Sequence, residues 1–269
     1  LKNRVMELLG YIMALFIGIS LGLFGGGGSI LAVPVLAYLF SLDEKVATAY
    51  SLFIVGFAAL FGGIKQNRNN NVDWRTAIVF GIPALIGVWI VRHFIIPELP
   101  DVLFYIGDFS VSRRMGMFGV FIALMVAAAF SMLRNNKGKG GSGNISYNYP
   151  LIFTEGLLVG AVTGLVGAGG GFLIIPALVV LTNLGIKKAI GTSLIIIALK
   201  SILGFFLADA LIMSIDWNFL IAFTSLTIAG MFLGIYIGKL TDGNKLKKGF
   251  AYFILVMAIF MFIMEFFIN

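Results

Sequence analysis

Apolar residues gather along this chain into ten stretches parted by short polar breaks, and none alternates with the period of two that a membrane barrel strand needs. In the first half the stretches cover about 5–24, 29–41, 46–64, 73–95 and 114–133; in the second, about 150–167, 171–183, 187–209, 217–238 and 246–268. A helix crossing a hydrocarbon core of about 30 Å takes roughly 20 apolar residues, which several of the stretches supply. Stretch 29–41 has 13 residues, about 20 Å of helix, and is too short to span. The pattern predicts an all-α polytopic membrane protein. Composition agrees, with 60% hydrophobic and 12% charged residues against about 45–50% and about 25% in a soluble domain.

The pattern also occurs twice. Sliding the sequence by 142 residues lays Gly18–Leu36 (GISLGLFGGGGSILAVPVL) on Gly160–Leu178 (GAVTGLVGAGGGFLIIPAL), and 18 of the 48 positions from Leu15 to Gly62 are then identical. A repeat centred on a glycine run that interrupts an apolar stretch is a signature of secondary transporters. Because the first apolar stretch has a repeat counterpart, it is expected to be structure and not a cleaved leader. The expected division is a first transmembrane repeat over 1–133, a Gly/Lys-rich linker over 134–149 and a second repeat over 150–269.

Loop charge orients the two copies. Lys65, Arg68 and Arg75, then Arg134, Lys137 and Lys139, then Lys239, Lys245, Lys247 and Lys248 form three basic clusters, which the positive-inside rule places in the cytoplasm. Acidic loop 96–112 and the 210–216 loop fall outside. Lys2 and Arg4 then lie outside, against the rule, and are outweighed. An odd number of crossings separates the linker from the 210–216 loop. Stretches 150–167 and 171–183 must therefore form a hairpin that returns to its own side. The resulting architecture is two inverted repeats, each a Gly-tipped helical hairpin (re-entrant or broken) followed by three transmembrane helices, in the cell inner membrane.

The candidate chemistry sits at the hairpin tips. Each glycine run precedes a short helix whose first turn has unpaired N–H groups and the positive dipole end. Two such starts converging near the bilayer midplane favour an anion. Gly25, Gly26, Gly27, Gly28 and Ser29 in one copy and Gly167, Gly169, Gly170 and Gly171 in the other are the expected cradle. Gly18, Gly22, Gly160 and Gly164, four apart, are better read as helix-packing positions, like the stripe Gly230-Gly234-Gly238. Pro34 and Pro176 fall inside the short helices and are expected to shape the hairpins. A nucleotide-binding reading of the glycine runs fails, because a membrane-length apolar stretch precedes each where a short strand is needed.

Lys200 is the sharpest single residue, lying mid-way along Ala189–Ile212. A lysine near the bilayer centre costs at least ~2.5–3.5 kcal/mol on insertion scales. It is expected to contact the anion, balance charge or couple a proton. The bland alternatives are snorkelling and pairing with Asp209, nine residues on and about 13 Å along the axis. Ser51, Thr192 and Ser193, near the start of the third segment of each copy, offer hydroxyls to substrate or back-bond to their own helix. Asp73-Trp74 and Asp216-Trp217 read as N-caps with interfacial anchors. Arg92, His93, Arg113 and Arg114 are expected at the surface. The chain has no cysteine and one histidine, so neither a thiol site, a metal site, a cofactor nor an intramembrane catalytic cluster is expected, and nothing suggests nucleic acid as a partner.

With these motifs in hand, the chain resembles the TauE/SafE family, associated with export of sulfite and organosulfonates. The shared pattern is G-x-x-G-x-G-G, then Ser or Gly, an apolar stretch and Pro-x-Leu, once per half. Gly191-Thr192-Ser193-Leu194 fits it too, where the first copy has Ala49-Tyr50-Ser51-Leu52. The resemblance implies a small sulfur-containing anion such as sulfite or sulfoacetate as substrate. The residues alone leave open an anion channel on the same scaffold, transport of a non-sulfur carboxylate, and a scaffold subunit. Coupling is expected to a proton, an ion or the membrane potential, with the lipid bilayer as the surrounding partner.

Overall fold

The computed structural model describes residues 2–95, 98–100, 102–106, 109–134, 149–166, 171–181, 184–210 and 213–268. The helices are α1 (Lys2–Phe24), α2 (Gly27–Pro34), α3 (Glu44–Arg68), α4 (Trp74–Ile90) and α5 (Arg113–Arg134), then α6 (Tyr149–Val166), α7 (Gly171–Leu181), α8 (Ile186–Gly204), α9 (Trp217–Leu240) and α10 (Gly243–Ile263). Single π-helical turns prolong α2 (Val35–Leu39), α4 (Val91–Ile95), α8 (Phe205–Asp209) and α10 (Met264–Ile268). Residues 135–148, most of the expected linker, lie outside the described residues, as do Gly167, Gly169 and Gly170.

Among the described residues, six helices are long and apolar enough to cross a membrane: α3, α4, α5, α8, α9 and α10. The apolar parts of α1, α2 and α6 are shorter; the stretch lengths predict this for α2 alone. Ile78, Ile82, Ile86 and Trp89 stand exposed along one face of α4, and Tyr252, Val256 and Ile259 do so on α10. Faces of this kind suit lipid, since a soluble protein rarely exposes large contiguous apolar patches. Four aspartates start helices: Asp43, Asp73, Asp216 and Asp242 accept hydrogen bonds from Lys45 N, Thr76 N, Phe219 N and Asn244 N at 2.8–3.1 Å. Trp74 and Trp217, next to two of these caps, are 48% and 45% exposed.

One element departs from the sequence expectation. The 96–112 region, read as a plain loop, contains an antiparallel ribbon of β1 (Val102–Ile106) and β2 (Phe109–Ser112), with Tyr105 opposite Ser110. Its signal is two short aromatic and β-branched runs, VLFYI and FSVS, parted by Gly-Asp.

The centre is an antiparallel pair, α3 against α8. Gly56 lies against Ile202, Gly63 against Ile195, and Gly204 near Leu52. This register brings Ala58 and Lys200, which are repeat counterparts, to the same level. Around the pair, α1 runs parallel to α9 and α6 parallel to α4. Their glycines have no room for a side chain: a Cβ on Gly18 would lie 2.0 Å from Thr227 O, and one on Gly160 would lie 2.1 Å from Ala84 O. Gly230 and Gly234 meet the carbonyls of Leu15 and Ile19 in the same way. These glycines are packing positions, as their spacing predicts.

α1 and α2 form a hairpin. Gly28 lies against Ile17 and Leu21, and Gly10 under the ring of Phe40, so the chain turns at its glycine run and returns to the end it left. Loop 65–75, the start of α8 and the end of α9 share one Lys-rich end of the bundle, where Gln66, Asn71, Lys187 and Lys239 surround a common cavity.

Candidate functional site: the junction of the glycine runs

Gly25 turns the chain with φ +67°, a conformation that costs any side-chain-bearing residue. Its N–H donates to Leu21 O at 2.7 Å, and α2 starts two residues later. Gly26, the N-cap, has no side chain to offer, so the first-turn N–H groups carry no side-chain cap. Ser29, expected as a donor to an anion, is fully buried and its hydroxyl donates to Gly26 O at 2.7 Å.

The first glycine run meets Gly171, the start of α7, backbone to backbone. A Cβ on Gly26 would lie 2.3 Å from the carbonyl carbon of Gly171, and one on Gly171 would lie 2.6 Å from the Cα of Gly26. Gly171 is also backed by Ile197 of α8. The expected cradle is therefore closed at this contact in the present conformation. Open volume lies beside it: a cavity of about 290 Å³ at the Lys-rich end reaches Gly22 and Ile190, and Ile190 touches Gly25.

Ser193 ties α8 to this turn. Its hydroxyl lies 2.9 Å from Gly25 O and 2.8 Å from Ile190 O, with one proton to share between them. Ser51 donates to Thr48 O at 2.8 Å, the back-bond to its own helix. Thr192 does something the sequence reading missed: its Oγ1 accepts the backbone N–H of Asp73 at 2.9 Å, anchoring the start of α4. In the other copy, the phenol of Tyr50, the repeat counterpart of Thr192, accepts the N–H of Asp216 at 2.7 Å, at the start of α9. The two departing motifs thus perform one task. Gly191 lets Asn71 O approach to where a Cβ would be 2.0 Å away, and a short threonine then suffices. Where the first copy has Ala49, the longer tyrosine makes the reach. Pro34 lies buried within α2, just before its π-helical turn, and Pro176 lies within α7.

Lys200 is 2% exposed, one helical turn beyond Ile197. Its Nζ donates to Thr163 Oγ1 at 3.1 Å, and that hydroxyl donates to Gly160 O at 3.0 Å. Among the described residues no carboxylate pairs with it. Asp209 is taken by Arg92, which excludes the bland pairing of Lys200 with Asp209 and corrects one expectation: the Arg92 side chain is not at the surface. The two form a salt bridge between the ends of α4 and α8, with side chains 8% and 20% exposed. The sequence signal was opposite charges at the same-side ends of two apolar stretches. Beside Lys200, Ser201 is fully buried and its Oγ has no partner. Among the described residues no cluster of three or more His, Asp or Glu is placed to hold a metal.

Chemically, the site combines a buried lysine that meets no carboxylate among the described residues, an uncapped helix start and a break in the helical backbone, all inside an apolar bundle. Those are the elements of an anion-binding place in a membrane.

Comparison with known proteins places this arrangement. The chain is 27% identical over 256 residues to a probable membrane transporter protein of Xylella fastidiosa, covering 91% of this chain and 90% of the relative. A protein of the same description from Haemophilus influenzae is 27% identical over 274 residues, 95% of this chain and 98% of that one. One from Methanocaldococcus jannaschii is 34% identical over 118 residues, 42% of this chain and 44% of the relative. No solved structure matches at a significant level. The profile of the family described as sulfite exporter TauE/SafE matches residues 11–261. With a helical membrane bundle and a glycine-run motif that occurs twice in its sequence, matched over residues 11–261, this chain belongs to the TauE/SafE family of membrane transporters.

Proposed function

We propose that the chain is a secondary transporter that exports a small sulfur-containing anion, sulfite or an organosulfonate such as sulfoacetate, by alternating access. The observation that carries the reading is Lys200, a buried lysine with no carboxylate partner beside the meeting point of two glycine runs. A charge held there at a cost of several kcal/mol has a use when a mobile anion supplies the missing counter-charge. Gly25–Ser29 and Gly167–Gly171 form the anion's cradle once their contact opens, with Lys200 and the hydroxyls of Ser51, Thr192 and Ser193 near it.

The two halves, 1–133 and 150–269, act as inverted repeats joined by the 134–149 linker. Supporting this are the antiparallel pairing of α3 with α8 and the reciprocal pairing of α1 with α9 and of α6 with α4. That exchange pattern is what a two-fold axis in the membrane plane generates. The Lys-rich end faces the cytoplasm by the positive-inside rule, in the cell inner membrane. The chain catalyses no covalent chemistry, and flux is driven by a proton, an ion or the membrane potential.

The test is binding of sulfite, sulfate, sulfoacetate, taurine and acetate to purified protein, read as a thermal shift, with Lys200→Ala alongside. A shift for a sulfur oxyanion or sulfonate that vanishes in Lys200→Ala supports the reading. A shift with acetate alone replaces the substrate class, and no shift with any anion removes it.

A further inference from the structure

The two halves pack alike through their glycines but differ where their helices end. With α4 and α9 aligned on their Asp-Trp starts, and α3 and α8 aligned on Ser51 and Ser193, Arg92 corresponds to Ile235 and Asp209 corresponds to Asn67. At one end of the bundle, Arg92 and Asp209 are joined by the salt bridge. Both sit on π-helical turns, whereas α9 and α3 stay α-helical through Ile235 and Asn67. π-Helical turns are rare and gather at functional sites. At the Lys-rich end the equivalent place holds no ion pair among the described residues. Ile235 there borders the cavity of about 290 Å³.

That cavity has the chemistry of an anion site. Its polar wall is made by Lys187 and Lys239 and the amides of Gln66, Asn69 and Asn71, and among the described residues no carboxylate lines it. The Lys187 ammonium donates to Lys239 O at 3.3 Å, which holds its charge at the wall. α8 begins here behind Gly185 without a side-chain cap, so its first N–H groups add to the positive potential. The cavity's inner limit is Gly22 and Ile190, the latter in contact with Gly25. The space therefore stops against the glycine junction, with one side chain between.

We infer that this cavity is the docking station for the transported anion at the Lys-rich end, and that the Arg92–Asp209 pair keeps it accessible by closing the equivalent place at the opposite end. The inference rests on the transporter reading above. A small oxyanion is drawn in by the two lysines, replaces water on the amides and waits behind Ile190. Separation of Arg92 from Asp209 then accompanies opening on the far side. A ligand shifts such an equilibrium only through unequal affinity for the two states, and here the inequality is two lysines against a self-satisfied ion pair.

Two measurements test it. In the first, sulfite and sulfoacetate are titrated by tryptophan fluorescence into wild type and into the double variant Lys187→Gln/Lys239→Gln. Affinity for the anion that binds should fall at least tenfold in the variant. Binding that survives in the variant but is lost in Lys200→Ala overturns the docking station while leaving the transporter reading intact. Absence of binding to wild type overturns both.

The second measurement needs no ligand. The chain has no cysteine, so Asn71→Cys gives a single thiol in the cavity wall, labelled by a membrane-impermeant maleimide from either face of oriented vesicles. Labelling is expected from the cytoplasmic face, slowed at least threefold by Asp209→Asn and restored by the charge swap Arg92→Asp/Asp209→Arg. Labelling from the other face, or a rate indifferent to Asp209→Asn in a variant that elutes as folded protein, overturns the closure.

Discussion

Replacing Gly26 by alanine tests whether Gly26 and Gly171 truly meet. The added Cβ would sit 2.3 Å from both the carbonyl carbon and the oxygen of Gly171, where ordinary contact begins near 3.4 Å. Something must therefore move by about 1 Å. The obstacle is backbone, and Gly171 is itself pressed by Ile197, whose Cδ1 would lie 2.3 Å from a Cβ there. Overpacking a dense core costs about 1–3 kcal/mol, and with no flexible side chain to yield, the upper end, about 3 kcal/mol, applies. For a chain of this size each kcal/mol lowers Tm by about 2–4 °C. The expected loss is thus on the order of 6–12 °C, followed through the fluorescence of Trp74, Trp89 and Trp217 in detergent. Gly119→Ala is the control, since nothing lies within 4 Å of its added Cβ; it should hold Tm or raise it slightly, as alanine is the better helix former. Because Gly26→Ala and Gly171→Ala strain one contact, the double variant should lose less than the sum of the singles. A Gly26→Ala protein as stable as Gly119→Ala, or strictly additive losses, would refute the junction.

Three further outcomes follow from the same geometry. Lys200→Met removes a buried charge that has no carboxylate and fills its place with apolar volume, so Tm should rise while anion efflux from loaded vesicles is lost; a fall in Tm would show that the ammonium is structurally satisfied. Thr192→Val and Tyr50→Phe each strand a backbone N–H at the start of α4 or α9, and each should lower stability by about 1–2 kcal/mol in denaturant titration. Unequal costs, one of them near zero, would sink the claim that the two side chains do one job. Gly18→Ala and Gly160→Ala drive a Cβ to 2.0 and 2.1 Å from a carbonyl oxygen of the neighbouring helix, so their thermal losses should match within a few degrees.

The helices were legible because the bilayer simplifies the code. A stretch must be apolar and about 20 residues long to span, so the lengths alone separated full spans such as α3 and α9 from the short α2. The packing glycines were legible for a related reason: spacing four puts Gly18 and Gly22, or Gly160 and Gly164, on one face, and a helix can approach closely only there. The β1–β2 ribbon was missed because hydropathy asks only whether a segment crosses. The Arg92–Asp209 pair was missed because each charge, taken alone, looks like an ordinary helix-end charge. Only the fold brings residues 117 apart in sequence into contact. The polar partners of Thr192, Tyr50 and Lys200 escaped for the same reason, since sequence names a donor but not the backbone group it will meet.

The asymmetry between the halves lies in polar side chains and in the π-helical turns at Arg92 and Asp209, and not in the glycine contacts between helices. Backbone contacts such as Gly18 with Thr227 and Gly160 with Ala84 are nearly identical, because close helix approach leaves no freedom at those positions. Polar side chains are freer: Thr192 and Tyr50 reach equivalent backbone groups from different lengths, while Lys200 faces its counterpart Ala58 with no match at all. Under the proposed alternating access, a frame with paired helix contacts and one lysine near its centre would present that lysine to either end as the packing shifts. In the transporter proposed above, the ion pair at one end and the cavity of about 290 Å³ at the other would mark which of two similar packings is occupied. A single lysine suits that task better than a symmetric pair, because two ammonium groups at the level of Ala58 and Lys200 would repel across a low-dielectric gap and force the central α3–α8 contact apart.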